Sequence, residues 1–129
     1  MLTQTVTIRL SWSTPRNWAQ GNSLGLPAYG GVYELLVLQQ DRTWQRRYVG
    51  QGSDIKERFE SHLSPSEPNL CLRGYLRGSC ACKFRYALVA SSAERADAER
   101  ALWDRWVHKC NQVRPAGSGR GYHIELVEA

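Results

Sequence analysis

The sequence predicts an α+β fold with a small antiparallel three-stranded sheet flanked by helices, and with accessory terminal strands. The chain has 129 residues, of which 42% are hydrophobic, and this size and composition suit one compact core. Apolar runs with strand periodicity alternate with helical segments in the order hairpin, helices, strand, helix, and that order is typical of α+β proteins. No linker or internal repeat divides the chain.

The first 26 residues are predicted to form an accessory strand and loop before the main domain. Apolar residues alternate with polar ones at the start, which is typical of a half-buried strand. These residues are Val6, Ile8, Leu10 and Trp12. Proline, glycine, asparagine and serine then accumulate between Pro15 and Pro27, which indicates a loop. We therefore divide the chain into residues 1–26 and a main domain over 27–129, within a single compact unit.

Two apolar segments predict a hairpin. Val32 to Leu38 is a continuous apolar run, and Trp44 to Gly50 is a second strand candidate. The intervening residues 39–43 are polar and are expected to form the turn.

The next segment predicts two short helices. Asp54 followed by Glu57 three residues later is a capping-box pattern, so a helix should begin there and end near Leu63, before Pro65. A second short helix is expected over about 69–76, closed by a glycine.

The C-terminal half predicts a strand, a long helix and a last strand. Residues 83–90 form the third strand of the predicted sheet, and a serine at 91 or 92 caps a helix that runs to about Lys109. Glycine and proline mark residues 111–121 as a loop. Residues 122–127 alternate again and predict an edge strand.

The charge of the chain favours a polyanionic partner. The formal net charge is +5, and only Lys56, Lys83 and Lys109 are lysines, so most of the cations are arginines. Arginine binds phosphate through two parallel donors, although an arginine preference in the genome explains the same composition equally well. No apolar run approaches the length of a membrane helix, and the first residues lack the apolar block of a signal peptide. We therefore expect a cytoplasmic protein without membrane contact.

The four cysteines do not form a recognisable metal motif. They are Cys71, Cys80, Cys82 and Cys110. One residue separates the middle pair, which is shorter than a zinc-knuckle spacing. Without an export signal, we interpret the cysteines as free thiols that behave as small buried hydrophobic groups.

Glu99 occupies an unusual position on the predicted long helix. Leu102, Trp103, Trp106 and Cys110 follow it at helical spacing, which places the carboxylate within the apolar stripe. A carboxylate there is costly unless it is satisfied. Two interpretations stay open. Glu99 forms a buried ion pair with an arginine, or it binds a metal ion such as Mg²⁺, which prefers oxygen ligands.

Five further polar residues have functional potential, but each is ambiguous alone. Arg58 and His62 lie one helical turn apart, where an arginine can stabilise phosphoryl charge and a histidine can accept a proton. Tyr33 and Tyr48 lie on the hairpin strands, where tyrosines commonly serve packing. Asn111 follows the long helix and is expected there as a C-cap.

The combined order of these residues is more specific than any one of them. The pattern consists of Gly31-Val32-Tyr33, Tyr48-Val49-Gly50, Arg58, His62, Glu99 and Asn111. Over about residues 27–115 it resembles the GIY-YIG nuclease family, whose members have a three-stranded antiparallel sheet flanked by helices. Val32 and Val49 replace isoleucine, and Gly52 stands where serine or threonine is common. The segment between the two tyrosines is longer than in many members, so substrate specificity stays open.

The resemblance implies metal-dependent hydrolysis of phosphodiester bonds by an endonuclease. Glu99 would hold one divalent ion, Mg²⁺ or Mn²⁺. Tyr33 would act as general base or would orient the attacking water. Tyr48 would hydrogen-bond that water or the phosphate.

The remaining motif residues would support the reaction. Arg58 would stabilise charge in the transition state. His62 would assist proton transfer from the side of the tyrosine. Asn111 would hold the active-site loop in place by hydrogen bonds.

Basic and aromatic residues at the hairpin predict contacts with nucleic acid. Arg42, Trp44, Arg46 and Arg47 lie on the hairpin and its turn, and Lys56 lies on the helix that follows. Such groups can track phosphates and stack on bases, whereas a solvated hairpin with one packed tryptophan is the plain alternative. We expect the partner to be nucleic acid, DNA more than RNA.

Two other functions stay open. The first is a catalytically inactive nucleic-acid-binding module on the same fold. The second is a protein-interaction domain that uses tryptophans at an interface, namely Trp12, Trp18, Trp103 and Trp106.

Overall fold

The computed structural model describes residues 3–129, which form six strands and three helices in an α+β arrangement. The strands are β1 (Thr5–Leu10), β2 (Arg16–Asn17), β3 (Gly31–Leu38), β4 (Trp44–Gly52), β5 (Cys82–Leu88) and β6 (His123–Glu128). The helices are α1 (Ile55–His62), α2 (Leu70–Arg77) and α3 (Ser92–Arg105). No helix in the described part of the chain is both long and apolar enough to cross a lipid bilayer.

The predicted three-stranded sheet is wrong, because the main sheet has four antiparallel strands in the order β2-β5-β3-β4. The additional strand β2 lies in the segment predicted as a loop, and it pairs with Phe84 and Lys83 of β5. Trp18 explains the pairing. Its ring is buried in the core, and its indole N–H donates to the carbonyl of Phe59 at 3.0 Å. This anchor holds the preceding residues against the open edge of β5.

The terminal strands form a separate sheet. β1 and β6 pair in parallel, from Thr5 opposite His123 to Leu10 opposite Glu128, instead of extending the edge of the main sheet. The alternation of polar and apolar residues predicted β1 and β6, but it could not show that the two strands pair with each other. Leu10 and Leu126 are buried in the core between this small sheet and α3.

Helix α3 ends earlier than predicted. Its last residue is Arg105, and Trp106 has an extended backbone, so the predicted end near Lys109 is wrong. The indole N–H of Trp106 donates to the carboxylate of Glu128 at 2.8 Å, and Cys110 is joined to Cys71 by a disulfide. These two links direct the chain away from the helix axis before another turn can form.

The central strand β3 separates two hydrophobic clusters. Tyr33 and Leu35 point towards α1 and α2, together with Phe59. Val32 points to the other face, where Ala98 of α3 packs. The strand is buried on both faces from Gly31 to Val37, so a side chain on β3 has a fixed environment.

Candidate active site

Tyr33, Arg58 and His62 form one hydrogen-bonded cluster. The hydroxyl of Tyr33 lies 2.7 Å from Nε2 of His62. Nε of Arg58 donates to the Tyr33 oxygen at 3.1 Å, and Nη2 of Arg58 lies 3.2 Å from Nε2 of His62. The structure thus joins three of the site residues predicted from the sequence by direct contacts.

The capped helix α1 explains this arrangement. The side chain of Asp54 accepts from the backbone N–H of Glu57 at 3.0 Å, which confirms the predicted N-cap and fixes the start of the helix. Ile55 and Phe59 are fully buried and anchor its apolar face. Arg58 and His62 lie one helical turn apart on the face beside Phe59, and this face is directed towards Tyr33 of β3.

Close packing explains why two positions of the motif are glycine. A Cβ atom on Gly50 would clash with the ring end and hydroxyl of Tyr33. A Cβ atom on Gly31 would clash with the carbonyl oxygen of Ala87 on the neighbouring strand. The two glycines therefore allow β3, β4 and β5 to pack closely around the Tyr33 side chain.

Sequence reasoning missed Glu67, which is the second partner of His62. Its Oε2 lies 2.7 Å from Nδ1 of His62, and its Oε1 accepts from the backbone N–H of Asn69 at 3.2 Å. Glu67 lies in a loop rich in serine and proline, where no periodicity marks one polar residue over another. Only the fold shows that this carboxylate is buried beside the imidazole.

Burial controls the protonation of the cluster. It raises the pKa of Tyr33 well above the ordinary 10.0, with a further increase from Tyr48, while Arg58 opposes the shift. Burial also raises the pKa of Tyr48. It lowers the pKa of His62 below the ordinary 6.5, and Arg58 adds to this effect while Glu67 opposes it. At neutral pH both phenols therefore keep their protons, and the imidazole is neutral.

Tyr48 and Tyr33 differ in their access to solvent. Tyr48 is half-buried and lines a cleft of about 350 Å³ together with Arg58, His62 and Glu67. Tyr33 is 0% exposed and lies behind this cleft, and the two rings are 6.2 Å apart. A molecule in the cleft would therefore meet Tyr48 first.

Glu99 is half-buried on α3 and is coupled electrically to this cluster. Burial raises its pKa from 4.5 to about 7, and the guanidinium of Arg58 lowers it in part. The Glu99 charge in turn raises the pKa of both Tyr33 and Tyr48. Within residues 3–129 no side chain forms an ion pair or a hydrogen bond with Glu99. Arg58 thus acts on Glu99 only at longer range, and no direct ion pair between Glu99 and an arginine forms there.

Glu99 is the one residue that the sequence pattern assigns to a metal ion. The described part of the chain holds no cluster of three or more His, Cys, Asp or Glu side chains. A protein site for Zn²⁺ usually needs three or four such ligands, whereas Mg²⁺ accepts one or two carboxylates and keeps several waters. The assignment of Mg²⁺ or Mn²⁺ to Glu99 therefore stays a prediction.

Asn111 braces the outer edge of β4. Its Oδ1 accepts from the N–H of Val49, and its Nδ2 donates to the carbonyl of Val49, both at 2.9 Å. Because α3 ends at Arg105, Asn111 is not the C-cap of that helix. The side-chain amide instead satisfies backbone groups that an edge strand leaves free.

A disulfide holds this brace against α2. Cys71 and Cys110 are bonded, so the interpretation of all four cysteines as free thiols is wrong for this pair. Cys80 and Cys82 are free. The side chain of Asn69 donates to the carbonyl of Cys110 at 2.8 Å, which adds a second link at the same place. Sequence spacing could not reveal this pairing, because the two cysteines meet only after α2 and the loop behind α3 have packed.

The hairpin turn presents part of the predicted nucleic-acid surface. Arg42 is exposed, with a left-handed backbone (φ 69°). Trp44 is 39% exposed, and the ammonium of Lys83 lies 4.9 Å from its ring centre. Lys56 is half-buried on α1. These groups offer charge and an aromatic face to a ligand.

The other two hairpin arginines are engaged within the protein. Nη1 of Arg46 lies 3.2 Å from the carboxylate of Glu34 and 2.8 Å from that of Glu128. The Arg46 guanidinium also lies 4.1 Å from the ring centre of Trp106. Arg47 is buried. A contact of either arginine with nucleic acid would require these side chains to rearrange, and it stays a prediction.

Comparison with known proteins gives no match: no protein-family model, no curated protein and no solved structure matches this chain. The resemblance to the GIY-YIG family therefore depends on the residue pattern and on the chemistry of the site.

Proposed function

We propose that the protein is a metal-dependent endonuclease of the GIY-YIG type, which hydrolyses phosphodiester bonds in DNA. The observation that carries the proposal is the bonded cluster of Tyr33, His62 and Arg58, electrically coupled to the unpaired carboxylate of Glu99. A proton acceptor, a fixed cation and a free carboxylate are the three groups that such a hydrolysis requires.

The proton route starts at the attacking water. Water entering the cleft bonds to phosphorus, and its proton passes through the hydroxyl of Tyr48 to the oxygen of Tyr33, which is itself closed to the cleft. The phenolic proton of Tyr33 passes at the same time to Nε2 of His62, 2.7 Å away. The bond from phosphorus to the leaving oxygen then breaks, and the leaving oxygen takes a proton from solvent while His62 later returns its own to solvent. Because Tyr33 loses one proton as it gains another, no buried phenolate has to form, and the raised pKa of Tyr33 is no obstacle.

Arg58 and the ion held by Glu99 would stabilise the negative charge that develops on the phosphate. The guanidinium of Arg58 is held by Tyr33 and keeps a face on the cleft, where it can meet a phosphate oxygen. Glu99 would hold one Mg²⁺ or Mn²⁺ ion, and such an ion stabilises negative charge on the scissile phosphate and the leaving oxygen. Tyr48 would hydrogen-bond the water or the phosphate from the wall of the cleft.

The net charge of +5 supports a nucleic-acid substrate. Arg42, Trp44 and Lys56 are accessible groups that can contact a backbone or stack on a base. We propose DNA as the substrate in preference to RNA, and the assay below includes both.

The test is an incubation of the purified protein with supercoiled plasmid, branched DNA and RNA, with Mg²⁺, with Mn²⁺ and with a chelator. The wild type is expected to cut DNA only when a divalent ion is present. Glu99→Gln should lose at least ~100-fold in rate, since it removes the metal-binding charge while keeping the size of the side chain. The matched control is Glu94→Gln, an exposed position on the same helix.

Other outcomes decide between the alternatives. Tight DNA binding without cleavage would favour the catalytically inactive module. Absence of both binding and cleavage would contradict a nucleic-acid function and leave the protein-interaction domain. Equal rates for Glu99→Gln and the wild type would contradict the role of Glu99.

A further inference from the structure

We infer that Glu67 is a positioning residue for the reaction, because its carboxylate fixes the His62 tautomer that can accept the proton of Tyr33. The inference rests on the proposed function for its catalytic meaning. Its structural part, the tautomer, can be tested without any substrate.

Glu67 is held from several sides. Its Oε2 lies 2.7 Å from Nδ1 of His62, and its Oε1 accepts from the N–H of Asn69 at 3.2 Å. Its own backbone N–H donates to the carbonyl of Ser64 at 3.1 Å. Glu67 and His62 are 7% and 4% exposed, so water does not compete effectively for their contact.

The donor and acceptor roles follow from this geometry. An ionised carboxylate only accepts hydrogen bonds, so Nδ1 of His62 must carry the hydrogen that faces Glu67. In a neutral imidazole the other nitrogen then has a free lone pair. That nitrogen is Nε2, which faces the hydroxyl of Tyr33 at 2.7 Å and the donor Nη2 of Arg58 at 3.2 Å. The opposite tautomer would place a hydrogen on Nε2 and could not take the proton.

Glu67 also stabilises the product of the transfer. Once His62 has accepted the proton, an imidazolium is buried next to a carboxylate instead of next to apolar groups alone. Other charged and titratable groups also surround His62. On α1 and the hairpin they are Glu57, Arg58, Tyr33 and Tyr48. On α2 they are Arg73 and Arg77, which line an adjoining cavity together with His62. Of all the groups around His62, Glu67 makes the only direct contact with Nδ1 within residues 3–129.

The substitution Glu67→Gln is expected to convert His62 from the Nδ1–H to the Nε2–H tautomer. The N–H of Asn69 needs an acceptor, so the amide oxygen of glutamine stays on that side. The NH₂ group then faces Nδ1 of His62 and donates to it. Without an acceptor at Nδ1, the hydrogen of the imidazole moves to Nε2, although the donor Nη2 of Arg58 lies 3.2 Å from that nitrogen. There the hydrogen points at the Tyr33 oxygen and blocks proton acceptance.

The experiment is ¹⁵N NMR of protein labelled at histidine, with His62→Gln used to assign the His62 signals. The expected result is the Nδ1–H tautomer in the wild type and the Nε2–H tautomer in Glu67→Gln. In the DNA cleavage assay, Glu67→Gln should lower kcat at least ~10-fold while KM changes little. Glu67→Asp should restore the Nδ1–H tautomer and part of kcat. Glu60→Gln, the same change at an exposed position on α1, is the control that leaves both readouts unchanged.

Three results would overturn the inference. They are an Nε2–H tautomer in the wild type, an unchanged tautomer in Glu67→Gln, and a kcat for Glu67→Gln equal to that of Glu60→Gln. If the wild type cuts no nucleic acid, the proposed function fails, and the NMR measurement on the wild-type protein still decides whether Glu67 sets the tautomer.

Discussion

The hydroxyl of Tyr33 lies 2.7 Å from Nε2 of His62, and this contact connects the central strand β3 to the helix α1. Both side chains are almost entirely removed from solvent. A buried phenol is difficult to ionise alone, but one with a neutral imidazole in contact can pass its proton on as it receives another. In the proposed function this contact makes Tyr33 part of a proton route.

The raised pKa of Glu99 predicts a specific stability change. Folding raises this pKa from 4.5 to about 7, so the folded state binds the proton more tightly than the unfolded chain. The stabilisation is fully present below pH ~4.5 and is lost as the pH rises through about 7. In chelator at about pH 8, Glu99→Gln should therefore be more stable than the wild type, by roughly 2 kcal/mol after allowance for solvent screening. Denaturant unfolding at about pH 4 and pH 8 measures the difference, which should nearly vanish at the lower pH.

Divalent ions should stabilise the wild type relative to Glu99→Gln, which is the opposite of the order expected in chelator. In the proposed function Mg²⁺ binds the ionised carboxylate of the folded protein, so it should raise the Tm of the wild type and leave that of Glu99→Gln unchanged. The increase should be larger at pH 8 than at pH 6, since more of Glu99 is ionised there. An equal Tm increase in both proteins would place the ion elsewhere.

Arg58 should not tolerate replacement by lysine. Arg58 contacts Tyr33 and His62 through two different nitrogens, and an ammonium group cannot reproduce that fork. Arg58→Lys is expected to lose at least ~100-fold in DNA cleavage rate, close to the loss in Arg58→Ala. Arg9→Ala, an exposed arginine on β1, is the control. Near-normal activity of the lysine variant would mean that charge alone suffices.

Both the oxygen and the nitrogen of the Asn111 amide should contribute to the stability of the protein. Asn111→Ala removes two hydrogen bonds to Val49 and should cost about 1–2 kcal/mol of unfolding free energy. Asn111→Asp should be at least as harmful, because its second oxygen would face the carbonyl of Val49. Amide exchange at Val49, followed by NMR, should accelerate in both variants. Exchange as slow as in the wild type would show that the brace is dispensable.

The disulfide should contribute strongly to stability. It closes a loop of 39 residues between Cys71 and Cys110, and a constraint of this length is worth about 3–4 kcal/mol. Reduction or the double substitution to serine should therefore lower the Tm. Cys80→Ser, an exposed free cysteine, is the control. Peptide mapping without reductant should recover the linked pair, and two free thiols at these positions would contradict the structure.

Local signals predicted the local parts of the structure. The capping pattern of Asp54 and Glu57 located the start of α1, and Ser91 caps α3. The alternation at the N-terminus located β1. Capping and periodicity act over a few residues, so the sequence contains them directly.

Features that depend on distant contacts escaped prediction. The two-residue strand β2 forms because Trp18 is anchored on α1, and the end of α3 is decided by Trp106 and Cys110. Glu67 joined the site only through the packing of its loop against His62. In each case the decisive partner lies in another element, and no spacing in the sequence specifies it.

The most direct measurement is a double-mutant cycle on DNA cleavage. Single-turnover rates with Mg²⁺ would be compared for the wild type, Tyr33→Phe, His62→Gln and the double variant, with Tyr86→Phe as a control tyrosine of the same core. If the two residues share one proton route, the wild type cleaves, each single variant loses roughly 100-fold or more, and the double variant is no slower than either. Absence of cleavage by the wild type, or losses that multiply in the double variant, would contradict the account.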